Sequence, residues 1–242
     1  MNQRILTVID NVPAARDVYR MRLEGDTSDI TRPGQFVNVL IDGLYLRRPI
    51  SVCDWNEHTL TLVYKAVGEG TEKMASMEPG TKLDILMGLG NGFDTEKAGE
   101  NPVLIGGGVG IPPIYGLAKR LIAEGKRVTV AMGFASAADV LLKEEFEALG
   151  CTVKIATVDG TAGEKGFVTG LLDGAWSCSY ACGPIPMLKA VYDALSCTGE
   201  YSFEERMGCG FGACMGCSCK TKYANKRICK DGPVLVKEEI IW

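Results

Sequence analysis

Four cysteines near the carboxyl end constrain this chain more than any other feature of its sequence. Cys209, Cys214, Cys217 and Cys229 follow the spacing C-x4-C-x2-C with a distant fourth cysteine. This is the ligand spacing of plant-type 2Fe-2S clusters, in which four thiolates hold two irons. Glycines interspersed through the loop allow it to wrap a cluster and to point N–H groups at the sulfurs. The sequence therefore predicts a 2Fe-2S cluster with these four cysteines as its ligands.

A structural zinc site is the main alternative, because zinc is also held by four cysteines. Zinc-binding sequences usually carry two short C-x2-C pairs, whereas only Cys214 and Cys217 form one here, so the spacing favours the cluster. Cys219 is a second candidate for the fourth ligand, although Cys229 completes the longer spacing better. The chain begins Met-Asn-Gln-Arg with no apolar signal segment, so we expect a reducing, cytoplasmic location without disulfides.

The composition is that of a globular protein with room for two ordinary domains and a small appendage. Of 242 residues, 46% are hydrophobic and 23% are charged. A net charge of -4 and the absence of any basic run argue against a nucleic-acid partner. The chain has no uncharged apolar stretch of about 18 residues, so we expect no transmembrane helix. A single histidine, His58, leaves little capacity for imidazole acid–base chemistry.

Residues 1–97 predict a small antiparallel barrel. Short segments rich in Val, Ile, Leu, Thr and Tyr alternate with Pro-Gly, Asp-Gly and similar turns. Several strands at such close spacing are typical of a barrel. The predicted strands are 4–9, 18–23, 35–41, 50–55, 59–67 and 82–87.

Two short motifs in this region suggest a flavin nucleotide site. Arg48 offers a planar fork of donors for a phosphate, Pro49 stiffens the turn, and the Ser51 hydroxyl can reach a flavin ring nitrogen. Residues 68–71 form a glycine turn that opens a predicted helix ending at residue 77, and such a turn can receive a pyrophosphate. Each motif also has a plain structural explanation: an exposed arginine pair before an edge strand, and a turn with a helix N-cap.

Beyond an acidic linker at 94–100 the pattern changes from strand and turn to strand and helix. Such alternation predicts a parallel sheet covered by helices, and we assign residues 98–199 to a nucleotide-binding domain. The predicted strands are 102–105, 127–132, 152–157 and 179–182, and the predicted helices are 111–123, 138–149 and 184–195.

Glycine-rich turns follow two of these strands. Residues 106–110 are not a G-x-G-x-x-G fingerprint, but they place bare backbone between a strand's carboxyl end and a helix, where a dinucleotide's phosphates can approach. Residues 182–187 occupy the equivalent end of a later strand, so we expect both turns to face one crevice. No arginine cluster follows residues 132–134, which favours NAD over NADP.

Together these motifs resemble the ferredoxin-reductase superfamily. More narrowly, the run from Glu205 to Cys217, followed by Cys229-Lys-Asp-Gly-Pro-Val, resembles the electron-transfer subunit of type B dihydroorotate dehydrogenase over essentially the whole chain. Two departures from plant-type reductases are Ile50, where they carry Tyr, and a short connection between Cys217 and Cys229. The resemblance implies an FAD-binding barrel at 1–97, an NAD-binding α/β domain at 98–199 and a 2Fe-2S module at 200–242.

The function implied by the resemblance is electron transfer. A partner subunit would oxidise dihydroorotate on FMN in pyrimidine biosynthesis, and electrons would cross the 2Fe-2S cluster to FAD, which passes a hydride to NAD+. The cluster loop would lie at the contact with that partner, in a heterotetramer of two copies of each subunit.

Two other functions stay open on the sequence. Related subunits of a transhydrogenase, sulfide dehydrogenase or hydrogenase would share the cofactor motifs, although the transhydrogenase subunits that resemble this chain carry Asp where Cys209 stands. A zinc-stabilised interaction module without redox activity is the alternative from a different class.

The same resemblance implies a set of cofactor-binding residues. Arg48 would contact an FAD phosphate, Pro49 and Ile50 would support the flavin, and Ser51 would hydrogen-bond its ring. The FAD site would be completed by Tyr64, Lys65, Ala66, Gly70 and Thr71. Access of NAD+ would be framed by Gly107, Gly108, Val109, Gly110, Cys182, Gly183, Pro184 and Met187. No proton-transferring side chain is required, because flavin and nicotinamide carry out the chemistry.

Overall fold

Six antiparallel strands close into a barrel in the computed structural model, which describes residues 1–242. The strands are β1 (Asn2–Ala15), β2 (Val18–Glu24), β3 (Phe36–Val39), β4 (Arg48–Trp55), β5 (Thr59–Lys65) and β6 (Lys82–Leu89). Their order around the barrel is β1-β2-β5-β4-β3-β6, and helix α1 (Glu69–Ala75) connects β5 to β6. The predicted antiparallel barrel is thus confirmed.

Alternation of side chains places one face of each barrel strand in the interior. In β6, for example, Ile85 and Met87 point into the barrel core. Strand β3 differs because all four of its residues are buried. Val37 lies in the barrel core, whereas Phe36 packs in a second apolar cluster with carboxyl-terminal residues. The outward face of β3 is therefore covered by the end of the chain.

The rest of the chain forms a seven-stranded sheet, three helices and a small hairpin. The strands are β7 (Val103–Gly107), β8 (Thr129–Phe134), β9 (Thr152–Thr157), β10 (Glu164–Lys165), β11 (Ser179–Cys182), β12 (Gly199–Ser202), β13 (Ser218–Lys220), β14 (Asn225–Arg227) and β15 (Val234–Val236). The helices are α2 (Pro112–Ala123), α3 (Lys143–Ala148) and α4 (Ile185–Ala194). The sheet order is β10-β9-β8-β7-β11-β12-β15, parallel except for β15, and β13 pairs only with β14. None of the helices has both the length and the apolar character needed to span a bilayer.

The structure departs from the sequence-based elements at several places. Strand β1 continues to Ala15, well beyond the strand predicted over 4–9, and β10, β13 and β14 were not predicted. The helix predicted over 138–149 is wrong in its first half, because α3 begins only at Lys143. The Asp139 carboxylate accepts hydrogen bonds from the Ser136 N–H and hydroxyl, which closes a single 3₁₀ turn, and Leu142 then has a left-handed φ of 59°. In addition, β12 and β15 extend the nucleotide-domain sheet, although both fall almost wholly within the residues assigned to the terminal module.

Helix α2 joins the barrel to the sheet. Its Lys119 Nζ lies 2.7 Å from Asp54 Oδ1 on β4, and Gly116 faces the Cys53 carbonyl so closely that a Cβ would lie 3.2 Å from that oxygen. Residues of both units, including Val63 of the barrel, share one apolar cluster. The barrel and the sheet are therefore packed into one core, and their facing edges have a defined separation.

Buried Lys237 and half-buried Glu200 make hydrogen bonds at the far edge of the sheet. Lys237 Nζ donates to the Leu195 and Cys197 carbonyls just after α4, the latter at 3.0 Å. The Glu200 carboxylate on β12 accepts a 2.8 Å hydrogen bond from the Asp94 N–H. Burial raises the pKa of Glu200 above its ordinary value, because desolvation disfavours the charged carboxylate.

Candidate functional site

The four predicted cluster ligands form two pairs in the terminal loop. The Cys209 sulfur accepts hydrogen bonds from the Ala213 and Cys214 N–H groups at 3.2 and 3.4 Å, so Cys209 and Cys214 lie side by side. The Cys217 sulfur accepts one from the Cys229 N–H at 3.4 Å. Cys217 and Cys229 are 2% and 1% exposed, whereas Cys209 is half-buried and Cys214 is exposed. One pair thus faces inward and the other faces outward.

The inner pair is assembled by the β13–β14 hairpin. Ser218 on β13 is in register with Arg227 on β14, so the residues that flank the hairpin, Cys217 and Ile228, also meet, with an Ile228 N–H to Cys217 carbonyl distance of 3.1 Å. This pairing brings Cys229 next to Cys217 across an interval of twelve residues. Cys219 is instead half-buried within β13, where Glu205 and Glu239 are close enough to raise its pKa further after burial.

Backbone conformation in the outer part of the loop depends on glycine. Gly210 and Gly212 have left-handed φ values of 77° and 92°, and Met215 has one of 61°, which is uncommon for a residue with a side chain. The resulting turns direct the backbone N–H groups of residues 213, 214 and 216 toward sulfur atoms. Such donors stabilise thiolates and tune a bound cluster.

The pKa values of Cys209 and Cys229 are shifted in opposite directions. Burial opposes ionisation of Cys209, but hydrogen bonds from the backbone of Cys214, Phe211 and Ala213 outweigh it and lower the pKa of Cys209 to about 6. Burial, followed by the neighbouring Cys217 thiol, raises the pKa of Cys229 to about 12. A cation bound beside Cys229 would favour its thiolate against this raised pKa.

This donor set fits a two-iron cluster. Nowhere in the chain are three Cys, His, Asp or Glu side chains grouped as ligands around a single metal ion. Four thiols in two adjacent pairs match a 2Fe-2S cluster, which needs two protein ligands on each iron. The backbone N–H groups aimed at sulfur supply the surrounding donors that such clusters use.

A cavity of about 800 Å³ lies between the barrel and the carboxyl ends of the sheet strands. It opens beside β7 and β11, where the strand order reverses, which is the usual ligand crevice of an open α/β sheet. Eleven of the residues predicted to bind FAD or NAD line it: Pro49, Ser51, Lys65, Gly107, Gly108, Val109, Gly110, Cys182, Gly183, Pro184 and Met187. The two glycine-rich turns therefore face one crevice, as the sequence led us to expect.

Close packing between these two turns explains why glycine is needed there. A Cβ on Gly110 would lie 2.5 Å from the Cys182 carbonyl carbon and 2.7 Å from Gly183 Cα. A Cβ on Gly107 would lie 2.5 Å from Met187 Sδ. Any larger side chain would force the turns apart, so these glycines set the width of the crevice.

The remaining predicted FAD residues do not line the cavity. Arg48 lies against Gly70, where a Cβ would come within 2.8 Å of the guanidinium carbon. The Thr71 hydroxyl accepts hydrogen bonds from the N–H groups of Val67 and Gly68 at 3.0 and 3.3 Å, which closes the turn before α1.

The other three are held within the barrel wall. Ile50 packs toward the barrel core, since alternation along β4 turns its side chain away from the face of Pro49. The Tyr64 hydroxyl is 3.0 Å from Asn11 Oδ1, and the Ala66 N–H donates to the Asp17 carbonyl.

Several cavity residues were not predicted from the sequence. Phe36, Asp139, Phe167, Glu204 and Glu205 all line the cavity. The two glutamates directly precede the cysteine loop, and that position is a local signal that points to them. Phe36 and Phe167 give no such signal, because an isolated aromatic residue is more often part of a core.

Comparison with known proteins identifies the family. A family model described as the iron-sulfur cluster binding domain of dihydroorotate dehydrogenase B matches residues 204–241, and an oxidoreductase NAD-binding domain matches residues 104–193. The dihydroorotate dehydrogenase B (NAD(+)) electron transfer subunit of Shouchella clausii is 42% identical over 258 residues, covering 98% of this chain and 97% of that protein. Its counterpart from Bacillus pumilus is 42% identical over 255 residues, covering 99% and 98%. The chain belongs to this family.

A solved structure gives the same fold. An NADH-dependent reduced ferredoxin-NADP oxidoreductase, described in terms of flavin-based electron bifurcation, superposes with a TM-score of 0.89 at 28% identity, covering 98% of this chain and 90% of that chain. Phthalate dioxygenase reductase superposes with a TM-score of 0.66 at 20% identity over 79% of this chain and 64% of that chain, which bears on the fold alone. The predictions of an electron-transfer subunit and of FAD, a 2Fe-2S cluster and NAD as its cofactors are confirmed.

Proposed function

We propose that this chain carries electrons from an FMN-containing catalytic subunit, which oxidises dihydroorotate in pyrimidine biosynthesis, through a 2Fe-2S cluster and FAD to NAD+. The observation that carries the proposal is the placement of two thiol pairs beside the crevice between barrel and sheet. Met207 and Pro233, which flank the cluster loop and its last ligand, both line that crevice. When bound, the cluster and FAD supply the redox chemistry, and the protein holds and orients them.

We assign the cluster ligands to Cys209, Cys214, Cys217 and Cys229. The hydrogen bond from the Cys229 N–H to the Cys217 sulfur supports Cys229 over Cys219 as the fourth ligand. Cys219 lies on a strand within a hairpin, where Glu205 and Glu239 are its charged neighbours. Lys226 lies opposite Cys219 in the hairpin and pairs with Glu239, so the assignment rests on the contact between Cys229 and Cys217.

The residues that we propose bind FAD lie in two places. Pro49 and Ser51 face the cavity from β4, where they orient the isoalloxazine and offer a hydroxyl to its ring. Arg48 and Gly70 lie together outside it, which suits a phosphate held by a guanidinium and bare backbone. Within the α/β part, the turns at 107–110 and 182–187 would admit the nicotinamide, and bound FAD would supply the hydride chemistry there.

The name of the relatives implies that a second, catalytic subunit completes the enzyme. We propose that it contacts the outer thiol pair, because Cys214 is exposed and exposed Phe211 and Met215 surround it. An assembly of two copies of each subunit is proposed from the family resemblance. A cytoplasmic location is supported by the ten cysteines, none of which forms a disulfide.

Exchange of Cys209 tests the function. We expect Cys209→Ser to abolish dihydroorotate-dependent reduction of NAD+ in the complex with the catalytic subunit, while FAD-dependent oxidation of NADH by ferricyanide continues. Cys219→Ser serves as the matched control and should retain both activities. Normal dihydroorotate-dependent turnover by Cys209→Ser would contradict the ligand assignment.

The bifurcating oxidoreductase with the same fold defines the rival function. A subunit of that kind would exchange electrons with ferredoxin and NADP rather than with dihydroorotate. Assays of the assembled complex with each donor separate the two, and the higher identity to the dihydroorotate dehydrogenase subunits favours the first.

A further inference from the structure

Strand β3 lies between the strand proposed to hold the flavin and the cluster loop. In the barrel register Phe36 is paired with Ser51 and Asn38 with Pro49 on β4, so the four side chains share one outward face. The carboxyl-terminal segment covers this outward face of β3. The outward side chains of β3 thus form a layer between that strand and the carboxyl-terminal segment.

Phe36 occupies this layer on the side of the inner thiols. It is 4% exposed, lines the cavity, and belongs to the same apolar cluster as Cys217 and Cys229. Its ring is closely confined, because a Cβ on Gly90 would lie 3.2 Å from Phe36 Cε1. Phe36 therefore links the wall of the cavity to the apolar cluster that contains the inner pair of ligands.

Asn38 occupies the layer on the side of the outer thiols. Its Nδ2 donates to the Cys209 carbonyl at 3.4 Å, and Gly210 packs against the amide so closely that a Cβ there would lie 3.2 Å from Asn38 Cγ. The side chain is 1% exposed, and its Oδ1 is buried without a hydrogen-bond partner. An amide with one half unpaired is not what stability alone selects at a buried position, where an apolar side chain would avoid that cost.

The second half of the cluster module is fastened to the barrel as well. Asn91, just after β6, donates through its backbone N–H to the Gly232 carbonyl at 2.7 Å, and its side chain exchanges two hydrogen bonds with Val234. Both segments that carry ligands are thus attached to the barrel by asparagine side chains. The barrel therefore holds both ligand-bearing segments in place relative to β4, the strand proposed to hold the flavin.

We propose that Phe36 and Asn38 are positioning residues that set the separation and orientation of the cluster relative to the flavin. Phe36 does so as part of the apolar cluster that contains Cys217 and Cys229, and Asn38 by fixing the backbone of Cys209. Neither residue forms or breaks a bond, and each would act through the position of the residues that would hold the cluster. The inference rests on the ligand set proposed above.

The test compares Asn38→Leu and Asn38→Asp with Asn101→Leu in the full chain carrying FAD and cluster. The leucine variant keeps the approximate size of Asn38 without its amide, and the aspartate variant replaces the N–H donor by a second oxygen, which carries negative charge when ionised. Asn101 is the matched control, because its Nδ2 also donates to a carbonyl, that of Ala175 at 2.6 Å, but far from the cluster loop.

We expect both Asn38 variants to alter the electron paramagnetic resonance spectrum of the reduced cluster and to slow its reduction relative to that of FAD after mixing with NADH. Amide hydrogen exchange across residues 210–216 should become about fivefold faster, since one hydrogen bond that holds the loop is lost. Asn101→Leu should change none of these. As a second position, Phe36→Leu should slow cluster reduction while keeping the cluster.

Wild-type spectra, cluster reduction and exchange rates in both Asn38 variants would overturn the proposal, as would equal changes in Asn101→Leu. Failure of the ligand assignment gives a different result: the wild-type chain itself would lack a 2Fe-2S signal, or Cys209→Ser would retain one unchanged. The two ideas are therefore refuted by separate observations.

Discussion

Replacement of Gly110 by alanine tests whether contact between the two glycine-rich turns sets the nicotinamide crevice. The added methyl group would lie 2.5 Å from the Cys182 carbonyl carbon and 2.7 Å from Gly183 Cα. Carbon atoms pack at about 3.5 Å or more, so one of the turns must move by about 1 Å. Both are backbone segments at the ends of buried strands, and neither can yield by a change of rotamer.

Two consequences of Gly110→Ala follow with different magnitudes. Overpacking of this kind costs about 1 to 3 kcal/mol of unfolding free energy, which for a chain of this size lowers the melting temperature by roughly 2 to 12 °C. Displacement of a substrate site by about 1 Å reduces kcat/KM for NADH by up to about 100-fold. The FAD spectrum and the cluster signal should stay unchanged, because neither proposed site includes this turn.

The assay is NADH oxidation by ferricyanide, followed together with thermal unfolding. Gly170→Ala is the matched control in the same domain, since nothing lies within 4 Å of a Cβ there and its φ is not left-handed. The control should keep the wild-type rate and unfold within about 0.5 kcal/mol of it. A kcat/KM for NADH within twofold of wild type in Gly110→Ala would refute the packing argument.

Other predictions concern FAD, the sheet edge and pH. Arg48→Lys should weaken FAD binding about tenfold or more in a fluorescence titration, because a bidentate phosphate contact is lost, whereas Arg47→Lys should not; equal affinities would exclude the phosphate role. Lys237→Met should lower the unfolding free energy by about 1 to 3 kcal/mol, because the Leu195 and Cys197 carbonyls lose their donor. Exposed Lys222, which also donates to a carbonyl, is the control, and Lys222→Met should change stability little. Similar denaturation midpoints for the two variants would contradict this. The raised pKa of Glu200 means that its contribution to stability is complete below its ordinary pKa and is lost as pH rises through the folded value. The unfolding free energy of Glu200→Gln should therefore rise relative to that of the wild type as pH increases from acidic to neutral. If this difference falls over that range instead, the pKa of Glu200 is not raised in the folded protein.

Local sequence signals were sufficient for much of the fold. Residues that repeat with strand or helix periodicity predicted the barrel and most of the nucleotide domain, since these elements are encoded within a few residues. The cysteine spacing likewise predicted a cluster, because C-x4-C-x2-C lies in a single loop. The error at 138–149 arose where Asp139 hydrogen-bonds back to Ser136, a competition that a helical pattern does not reveal.

Features that depend on distant pairing were not accessible in this way. β15 pairs with β12 through Glu200 and Val236, which are remote in sequence, and β15 is only three residues long. The roles of Phe36 and Asn38 depend on the end of the chain covering β3, and nothing near them in sequence indicates that cover. The fourth ligand was ambiguous for the same reason, because only the hairpin decides which cysteine meets Cys217.

Titration of the anaerobically purified chain with NADH, followed by electron paramagnetic resonance together with iron and sulfide analysis, tests the central claim most directly. We predict two irons per chain and a reduced 2Fe-2S signal that develops after FAD reduction. The signal should be lost in Cys229→Ser and kept in Cys219→Ser. Zinc in place of iron, no signal on full reduction of FAD, or loss in Cys219→Ser alone would contradict the account.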